Sequence, residues 1–149
     1  MGRFARDVDL FAVRVSIYLP LAALEQVMEK RSYKTGEKIF RRGDTGDEIF
    51  LIRSGAVRII LPLTEQQSHH LGTFGRGAFF GEMAFLDGDV RSADAVAFYD
   101  SELYVLSRKT FETVAEEHKK LALGLMAGLA SVIATRLRYT NAELRVLEA

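Results

Sequence analysis

The sequence predicts a mainly β domain with flanking helices, in which an antiparallel jelly-roll barrel lies between N-terminal helices and a long C-terminal helix. Helical spacing of apolar residues occurs at both ends of the chain, and between Ser32 and Leu106 it gives way to short apolar stretches separated by glycines. Closing many short strands into a barrel removes exposed sheet edges. With 149 residues, of which 48% are hydrophobic, the chain is long enough to bury one core, so we predict one domain in total.

Residues 1–31 form the predicted helical entry segment. Leu10, Val13 and Ile17 recur at helical spacing, and Pro20 stands where it would begin a second helix rather than interrupt one. The charged run at 29–34, EKRSYK, is interpreted as a solvated turn at the end of this segment.

Residues 32–107 form the predicted barrel. Its strands are short stretches rich in Ile, Val, Phe and Tyr that end at turn residues. We predict strands at 38–42, 48–54, 56–63, 68–74, 92–98 and 101–107.

Residues 108–149 form the predicted C-terminal helices. One line of residues at spacings of three and four predicts a heptad seam for pairing with a second chain: Leu123, Met126, Ala130, Ile133, Leu137, Thr140, Leu144 and Leu147. A second line, Leu125, Leu129 and Val132, predicts docking on the barrel. Docking alone and self-association both fit this pattern. We further expect the helix to act as a mobile lid, with 121–133 as hinge and 134–147 as the covering part.

Composition argues against several classes of partner. The 20 basic residues are balanced by 20 acidic residues, so the chain carries no excess positive charge for nucleic acid or anionic lipid. The sequence has no run of about 18 apolar residues, and we therefore expect no direct membrane insertion. The chain has no cysteine and no apolar N-terminal stretch, and we expect a cytoplasmic protein.

Metal chemistry and catalysis are not indicated either. His69 and His70 are adjacent, so on a strand they would point to opposite faces and could not bind one metal ion together. No pairing of a nucleophile with a base stands out. We therefore predict no metal site, no cofactor and no enzymatic activity, and we expect no helix-turn-helix after the barrel.

The stretch FFGEMAFLDGDVRSADAVA, residues 79–97, carries the chemistry. EMAFL predicts one short helical turn, whose first backbone amides would favour an anion, and Gly81 would allow close approach. Arg91 supplies a planar fork of donors for phosphate oxygens, and Glu82 would accept hydrogen bonds from sugar hydroxyls. Together they point to a nucleotide. The alternative is that Glu82 and Arg91 pair with each other across the loop.

This stretch resembles the phosphate-binding cassette of cyclic-nucleotide-binding domains. The matching residues are Phe80, Gly81, Glu82, Met83 and Ala84, followed at the family's spacing by Arg91, Ser92 and Ala93, all within a cassette at 80–94. Upstream, residues 36–59, GEKIFRRGDTGDEIFLIRSGAVRI, are similar to the family's glycine-punctuated strand pairs.

The resemblance implies a role for each residue of the cassette. Glu82 would bind the ribose 2′-hydroxyl, Arg91 the cyclic phosphate, and the amides of Met83 and Ala84 would complete the anion site. Ser92 would contact the phosphate. Ile59, Leu71 and Phe74 would face the purine, although barrel core is an equally good interpretation of these three.

The resemblance also implies a function. We expect a regulatory sensor for a cyclic nucleotide, cyclic AMP in preference to cyclic GMP, that signals through the C-terminal helix to an effector, as in bacterial transporters and enzymes. Two positions depart from the family pattern: Val90, where proline is frequent, and Asp94, where Ser or Thr is common. An inward Asp94 would repel a phosphate. The rival hypothesis is therefore a protein-interaction module that has lost its ligand.

Overall fold

A computed structural model describes residues 25–148 as two antiparallel four-stranded sheets with flanking helices. The strands are β1 (Glu29–Tyr33), β2 (Lys38–Phe40), β3 (Glu48–Ser54), β4 (Ala56–Pro62), β5 (Ser68–Gly75), β6 (Phe79–Phe80), β7 (Asp94–Ala97) and β8 (Ser101–Ser107). The helices are α1 (Glu82–Asp87), α2 (Arg108–Glu117) and α3 (Lys119–Glu148). One sheet has the order β1-β8-β3-β6 and the other β2-β7-β4-β5. The predicted jelly-roll fold is confirmed, as two sheets rather than a closed barrel.

Strand β3 is buried on both faces and divides the core into two parts. The four consecutive residues from Ile49 to Ile52 are at most 4% exposed. Phe50 and Ile52 face the second sheet, where they join Val57 and Phe74. Ile49 and Leu51 face the helices. Each such side chain contributes roughly 1.5–3 kcal/mol through burial, so this strand anchors both layers.

The core on the helical side consists of side chains from β3, β6, β8 and all three helices. Phe85 of α1 meets Phe111 of α2 edge to face, with ring centroids 5.5 Å apart. The N-terminus of α2 is capped by Ser107, whose hydroxyl accepts a hydrogen bond from the Thr110 amide at 3.1 Å.

The predicted boundary between entry segment and barrel is wrong by a few residues. Strand β1 begins at Glu29, inside the predicted helical segment, and it includes most of the run interpreted as a turn. It pairs antiparallel with β8, from Glu29 opposite Val105 to Tyr33 opposite Ser101. As an edge strand it tolerates charge, and Arg31 donates to the Glu48 carboxylate at 2.7 Å. The helices predicted for residues 1–24 lie outside the described residues.

Two further strand predictions need correction. The two-residue strand β6 was not predicted, although Phe80 pairs with Phe50 of β3. The predicted strand at 92–98 is shorter, since β7 begins only at Asp94.

The predicted short helical turn is confirmed as α1. It is flanked by Gly81 and Gly88, which both have left-handed backbone conformations, with φ values of 78° and 72°. Glycine adopts this conformation without steric cost, so the chain turns sharply at both ends of the helix.

Helix α3 runs without interruption over 30 residues and presents two different apolar faces. Ala122, Leu125, Leu129 and Val132 are buried against the core. Residues of the predicted seam lie on another face: Leu137 is 58% and Leu147 81% exposed. The proposed hinge at 121–133 holds the buried stripe, and its movement stays a prediction.

Within the described residues, α3 from Lys119 to Leu147 is long and apolar enough, by length and composition, to cross a membrane. The expectation of no direct membrane insertion stays a prediction, because length and composition alone do not show insertion. That expectation considered only unbroken apolar runs, whereas α3 combines a core-facing stripe with a second exposed apolar line. The core helix of a soluble protein has the same composition.

Candidate functional site

Arg91 precedes β7 and turns its side chain into the molecule, where it is 4% exposed. Its Nη1 donates to the Gly81 carbonyl at 3.0 Å and its Nη2 to the Glu48 carbonyl at 2.9 Å. The loop before β3 fixes its backbone as well, because Gly43 N donates to Arg91 O and Arg91 N donates to Asp44 O. The guanidinium is therefore held in place independently of any ligand.

Aromatic rings and two glycines complete the surroundings of this guanidinium. Its central carbon lies 4.3 Å from the ring centre of Phe40 and 5.6 Å from that of Phe50. A Cβ added at Gly81 would lie 2.9 Å from Arg91 Nη1, and one at Gly46 would lie 3.2 Å from Nη2. Side chains at these two positions would compete with Arg91 for space.

The charge of Arg91 is buried but not isolated. Burial lowers its pKa, and the nearby carboxylates of Glu48, Asp47 and Asp44 oppose this effect. Because an arginine in a protein keeps its proton, the site presents a fixed positive charge. Such a charge in a poorly solvated setting attracts an anion more strongly than it would in water.

Glu82 is the first residue of α1 and is 8% exposed. Its Oε1 accepts a hydrogen bond from Arg136 Nη1 of α3 at 2.6 Å. The alternative in which Glu82 pairs with Arg91 is therefore not the arrangement found, since the Arg91 side chain donates to two backbone carbonyls.

Arg136 is the residue of the site that the sequence analysis missed. Besides Glu82, its guanidinium donates to the Phe79 carbonyl and lies over the Phe74 ring, 4.6 Å from the ring centre. The signal was its position four residues after Val132, which places a charge on the continuation of the buried stripe of α3. A charge there needs a buried partner from another element.

The remaining cassette residues fall into two groups. Phe80, Ala84 and Ala93 are buried, and the Phe80 ring stacks on Phe50 with centroids 5.0 Å apart. By contrast, Met83 is 56% exposed, and the Ser92 hydroxyl lies 3.8 Å from its sulfur. The Phe80 side chain thus belongs to the core, and only its backbone borders the cassette.

The three residues predicted to face a purine are also separated. Phe74 is buried beneath Arg136, and Ile59 is partly buried against the core between the sheets. Leu71 is 38% exposed and lies where the register between β4 and β5 shifts. Of these three, Phe74 is the one brought next to Glu82, through Arg136.

Asp94 does not join Arg91. Its Oδ1 accepts a hydrogen bond from the Arg42 amide at 2.7 Å, and its Oδ2 lies 3.6 Å from Lys38 Nζ. These partners occupy the carboxylate of Asp94. The repulsion expected from an inward aspartate therefore does not arise in this arrangement.

The site thus combines a fixed cation, a carboxylate and an aromatic ring. Gly81 connects the cation with the carboxylate, since Arg91 donates to the Gly81 carbonyl and Glu82 is the next residue in the chain. A fixed cation suits a phosphate, a carboxylate suits hydroxyl donors, and an aromatic face suits a flat ring.

Comparison with known proteins identifies the family of the chain. The family model described as cyclic nucleotide-binding domain matches residues 30–118. The chain is 37% identical over 127 residues to glutaminase 1 of Bradyrhizobium diazoefficiens, covering 85% of this chain and 20% of that protein. It is 38% identical over 120 residues to the cyclic AMP receptor protein of Thermus thermophilus, covering 80% of this chain and 53% of that protein.

A solved structure agrees with the sequence comparisons. The catabolite activator protein of Thermus thermophilus superposes with a TM-score of 0.75 at 34% identity, covering 86% of this chain and 58% of that one. The chain therefore spans between a fifth and about half of the length of these curated relatives. With its family model matched from β1 to the end of α2 and its fold shared with this neighbour, the chain belongs to the cyclic nucleotide-binding domain family.

Proposed function

We propose that the chain is a regulatory sensor that binds a 3′,5′-cyclic nucleotide at the cassette and reports occupancy through α3. The observation that carries this proposal is the buried, preorganised Arg91 guanidinium, held at the Gly81 carbonyl immediately before Glu82. Gly81 and Gly46 leave the space that this guanidinium occupies.

Each group of the ligand has a proposed partner. Arg91 and the amides of Met83 and Ala84 bind the cyclic phosphate, with Ser92 at its edge. Glu82 accepts a hydrogen bond from the ribose 2′-hydroxyl. Phe74 lies under the purine, together with Ile59 and Leu71, whose partial exposure is compatible with a contact to the base.

Cyclic AMP is the proposed ligand, with cyclic GMP as second choice. Similarity to a protein named cyclic AMP receptor protein, at 38% identity, supports adenine. Ser92 is assigned to the phosphate, so it does not decide between the two bases.

The wider role of the chain is also a proposal. We infer that the domain itself is not catalytic and serves a larger cytoplasmic effector, since one relative is a glutaminase of which this chain matches only a fifth. The prediction that no nucleic acid binds gains no support from the comparisons, because the match covers only about half of the cyclic AMP receptor protein. A homodimer through the exposed seam of α3 is the proposed self-association.

The rival hypothesis of a ligand-free interaction module loses its main argument. That argument was an aspartate facing the phosphate, whereas Asp94 is bonded to the Arg42 amide and lies near Lys38.

Calorimetric titration with cyclic AMP, cyclic GMP and 5′-AMP tests the proposal. We expect cyclic AMP to bind more tightly than cyclic GMP, and both to bind more tightly than 5′-AMP, whose open phosphate has a different shape and charge. Arg91→Gln should weaken cyclic AMP binding by about ten- to a hundredfold, as expected for loss of a charge-assisted hydrogen bond. Absence of binding at millimolar nucleotide would contradict the proposal.

A further inference from the structure

Arg31 of β1 holds the carboxylate of Glu48 with both ends of its guanidinium. Its Nη1 donates to Glu48 Oε1 at 3.2 Å and its Nη2 to Glu48 Oε2 at 2.7 Å. The two side chains are 32% and 28% exposed, so the pair is only partly solvated. Because two parallel charge-assisted hydrogen bonds also fix an orientation, this arginine determines where the Glu48 carboxylate lies.

The backbone of the same glutamate belongs to the candidate site. Glu48 is the first residue of β3, and its carbonyl accepts a hydrogen bond from Arg91 Nη2 at 2.9 Å. Burial lowers the pKa of Arg91, and among the groups that oppose this effect the Glu48 carboxylate is the strongest. Glu48 thus offers Arg91 a neutral carbonyl, while its negative charge is bound by Arg31.

A Glu48 carboxylate released from Arg31 would compete with the ligand. An arginine side chain has more N–H donors than the two that Arg91 uses for the carbonyls of Gly81 and Glu48. The proposed function assigns the other donors to the cyclic phosphate. The released carboxylate could rotate towards a guanidinium that already contacts its own carbonyl, and it would pair there with the donors that the phosphate needs.

We propose that Arg31 is a positioning residue for nucleotide binding, which holds the Glu48 carboxylate away from Arg91 and so keeps the Arg91 guanidinium open to the cyclic phosphate. This inference rests on the proposed function and adds a residue outside the cassette to the same site. Arg31 does not itself contact the ligand and acts through Glu48. The edge strand β1 thereby contributes to the anion site.

A second ion pair on the same sheet provides a matched control. Arg53 of β3 donates to the Glu102 carboxylate of β8, and the two side chains are 48% and 37% exposed. Arg53 follows Glu48 by five residues, which is roughly 16 Å along the strand. This pair therefore lies towards the other end of β3 from the carbonyl that binds Arg91.

The test is a double-mutant cycle on the full chain with Arg31→Gln, Glu48→Gln and the combination of both. The probe is cyclic AMP, titrated by calorimetry after thermal melting has shown each variant to be folded. We expect Arg31→Gln to raise the Kd by about three- to tenfold, because the released carboxylate pairs with Arg91. In the Glu48→Gln background, where no charge is released, the same substitution should leave the Kd within about twofold.

Two further variants separate this effect from loss of charge and from the choice of side chain. Arg31→Thr places a β-branched residue on the edge strand, which suits a strand, and should weaken binding as much as Arg31→Gln does. Arg53→Gln removes an equal charge from the other ion pair and should leave the Kd within about twofold. A loss of affinity in Arg53→Gln as large as that in Arg31→Gln would overturn the inference, because net charge alone would explain both.

The other outcomes distinguish this inference from the proposed function. Equal affinity of the wild type and both Arg31 variants overturns the inference and leaves the proposed function intact. A loss of affinity that persists in the Glu48→Gln background also overturns it, because Arg31 would then act on the ligand or on the fold without Glu48. A wild type that binds no cyclic AMP at millimolar concentration overturns the inference together with the proposed function.

Discussion

Two residues without side chains leave the space that the Arg91 guanidinium fills. Gly81 and Gly46 approach the guanidinium so closely that a Cβ would lie within 2.9 Å and 3.2 Å of its nitrogens. Real Cβ atoms avoid the shorter of these distances, and Arg91 is too buried to swing into solvent. The two glycines are therefore part of the proposed binding site, although neither offers a functional group.

Alanine at position 81 should reduce both stability and nucleotide affinity. Gly88 is a matched control, since its φ of 72° is close to the 78° of Gly81 but a Cβ there meets nothing within 4 Å. Gly88→Ala should cost about 1–2 kcal/mol of backbone strain alone. In urea denaturation Gly81→Ala should cost more, and its Kd for cyclic AMP should rise, whereas that of Gly88→Ala should stay within about twofold. Equal effects of the two substitutions would show that Gly81 is needed only for its backbone.

Asp94 supports the loop before β3 and should not influence the ligand. Asp94→Thr removes the carboxylate that accepts from the Arg42 amide at 2.7 Å, so it should lower the free energy of unfolding by about 1 kcal/mol. The Kd for cyclic AMP and its dependence on salt should not change. Tighter binding with a weaker salt dependence would place Asp94 near the phosphate after all.

The sequence singled out neighbouring residues of the cassette and missed a distant contact. Gly81, Glu82 and Arg91 lie within eleven positions, and the chemistry of these neighbouring residues is enough to indicate a nucleotide. Arg136 meets Glu82 across 54 residues, and no local pattern specifies which side chains α3 brings to the cassette.

At the level of elements, apolar pattern predicted the central strands well and the edge strand poorly. The run around Ile49 to Ile52 identifies β3 because burial on both faces demands continuous apolar residues. Strand β1 carries Glu29, Lys30 and Arg31, and because it is largely exposed it shows no apolar pattern that would identify it as a strand. Its place is determined by pairing with β8, a contact between distant parts of the chain.

The structure shows that α3 docks on the core, and its second apolar face leaves self-association compatible with docking. The docking face is buried in the core, while Leu137 and Leu144 of the seam are exposed. A heptad seam that stays exposed in one chain is the face available to a second one.

Leu137→Glu should therefore convert a dimer into a monomer without unfolding the domain. Leu137 is 58% exposed, so the substitution leaves the core intact but places a charge in the seam. Light scattering measures the mass, and Ala142→Glu, an exposed position away from the seam, should leave the dimer unaffected. A wild type that is monomeric at all accessible concentrations would contradict the proposal that the seam forms a dimer contact.

At the scale of the whole molecule, the candidate site and helix α3 pack on the same core. Strand β3 provides the Glu48 carbonyl that holds Arg91, and its other face packs against the stripe of α3 that precedes Arg136. A ligand at the proposed site would therefore lie close to a helix that is anchored in the same core. The sequence predicted the two parts, but their connection depends on tertiary packing.

The most direct test of the central claim uses the ligand's own hydroxyl. Cyclic AMP and 2′-deoxy cyclic AMP differ only in the group that Glu82 is proposed to bind, and calorimetry gives the ratio of their Kd values. For the wild type we predict that the deoxy ligand binds about tenfold or more weakly, and for Glu82→Ala that the ratio approaches one. Equal binding of the two ligands by the wild type, or an undiminished ratio in Glu82→Ala, would contradict the account.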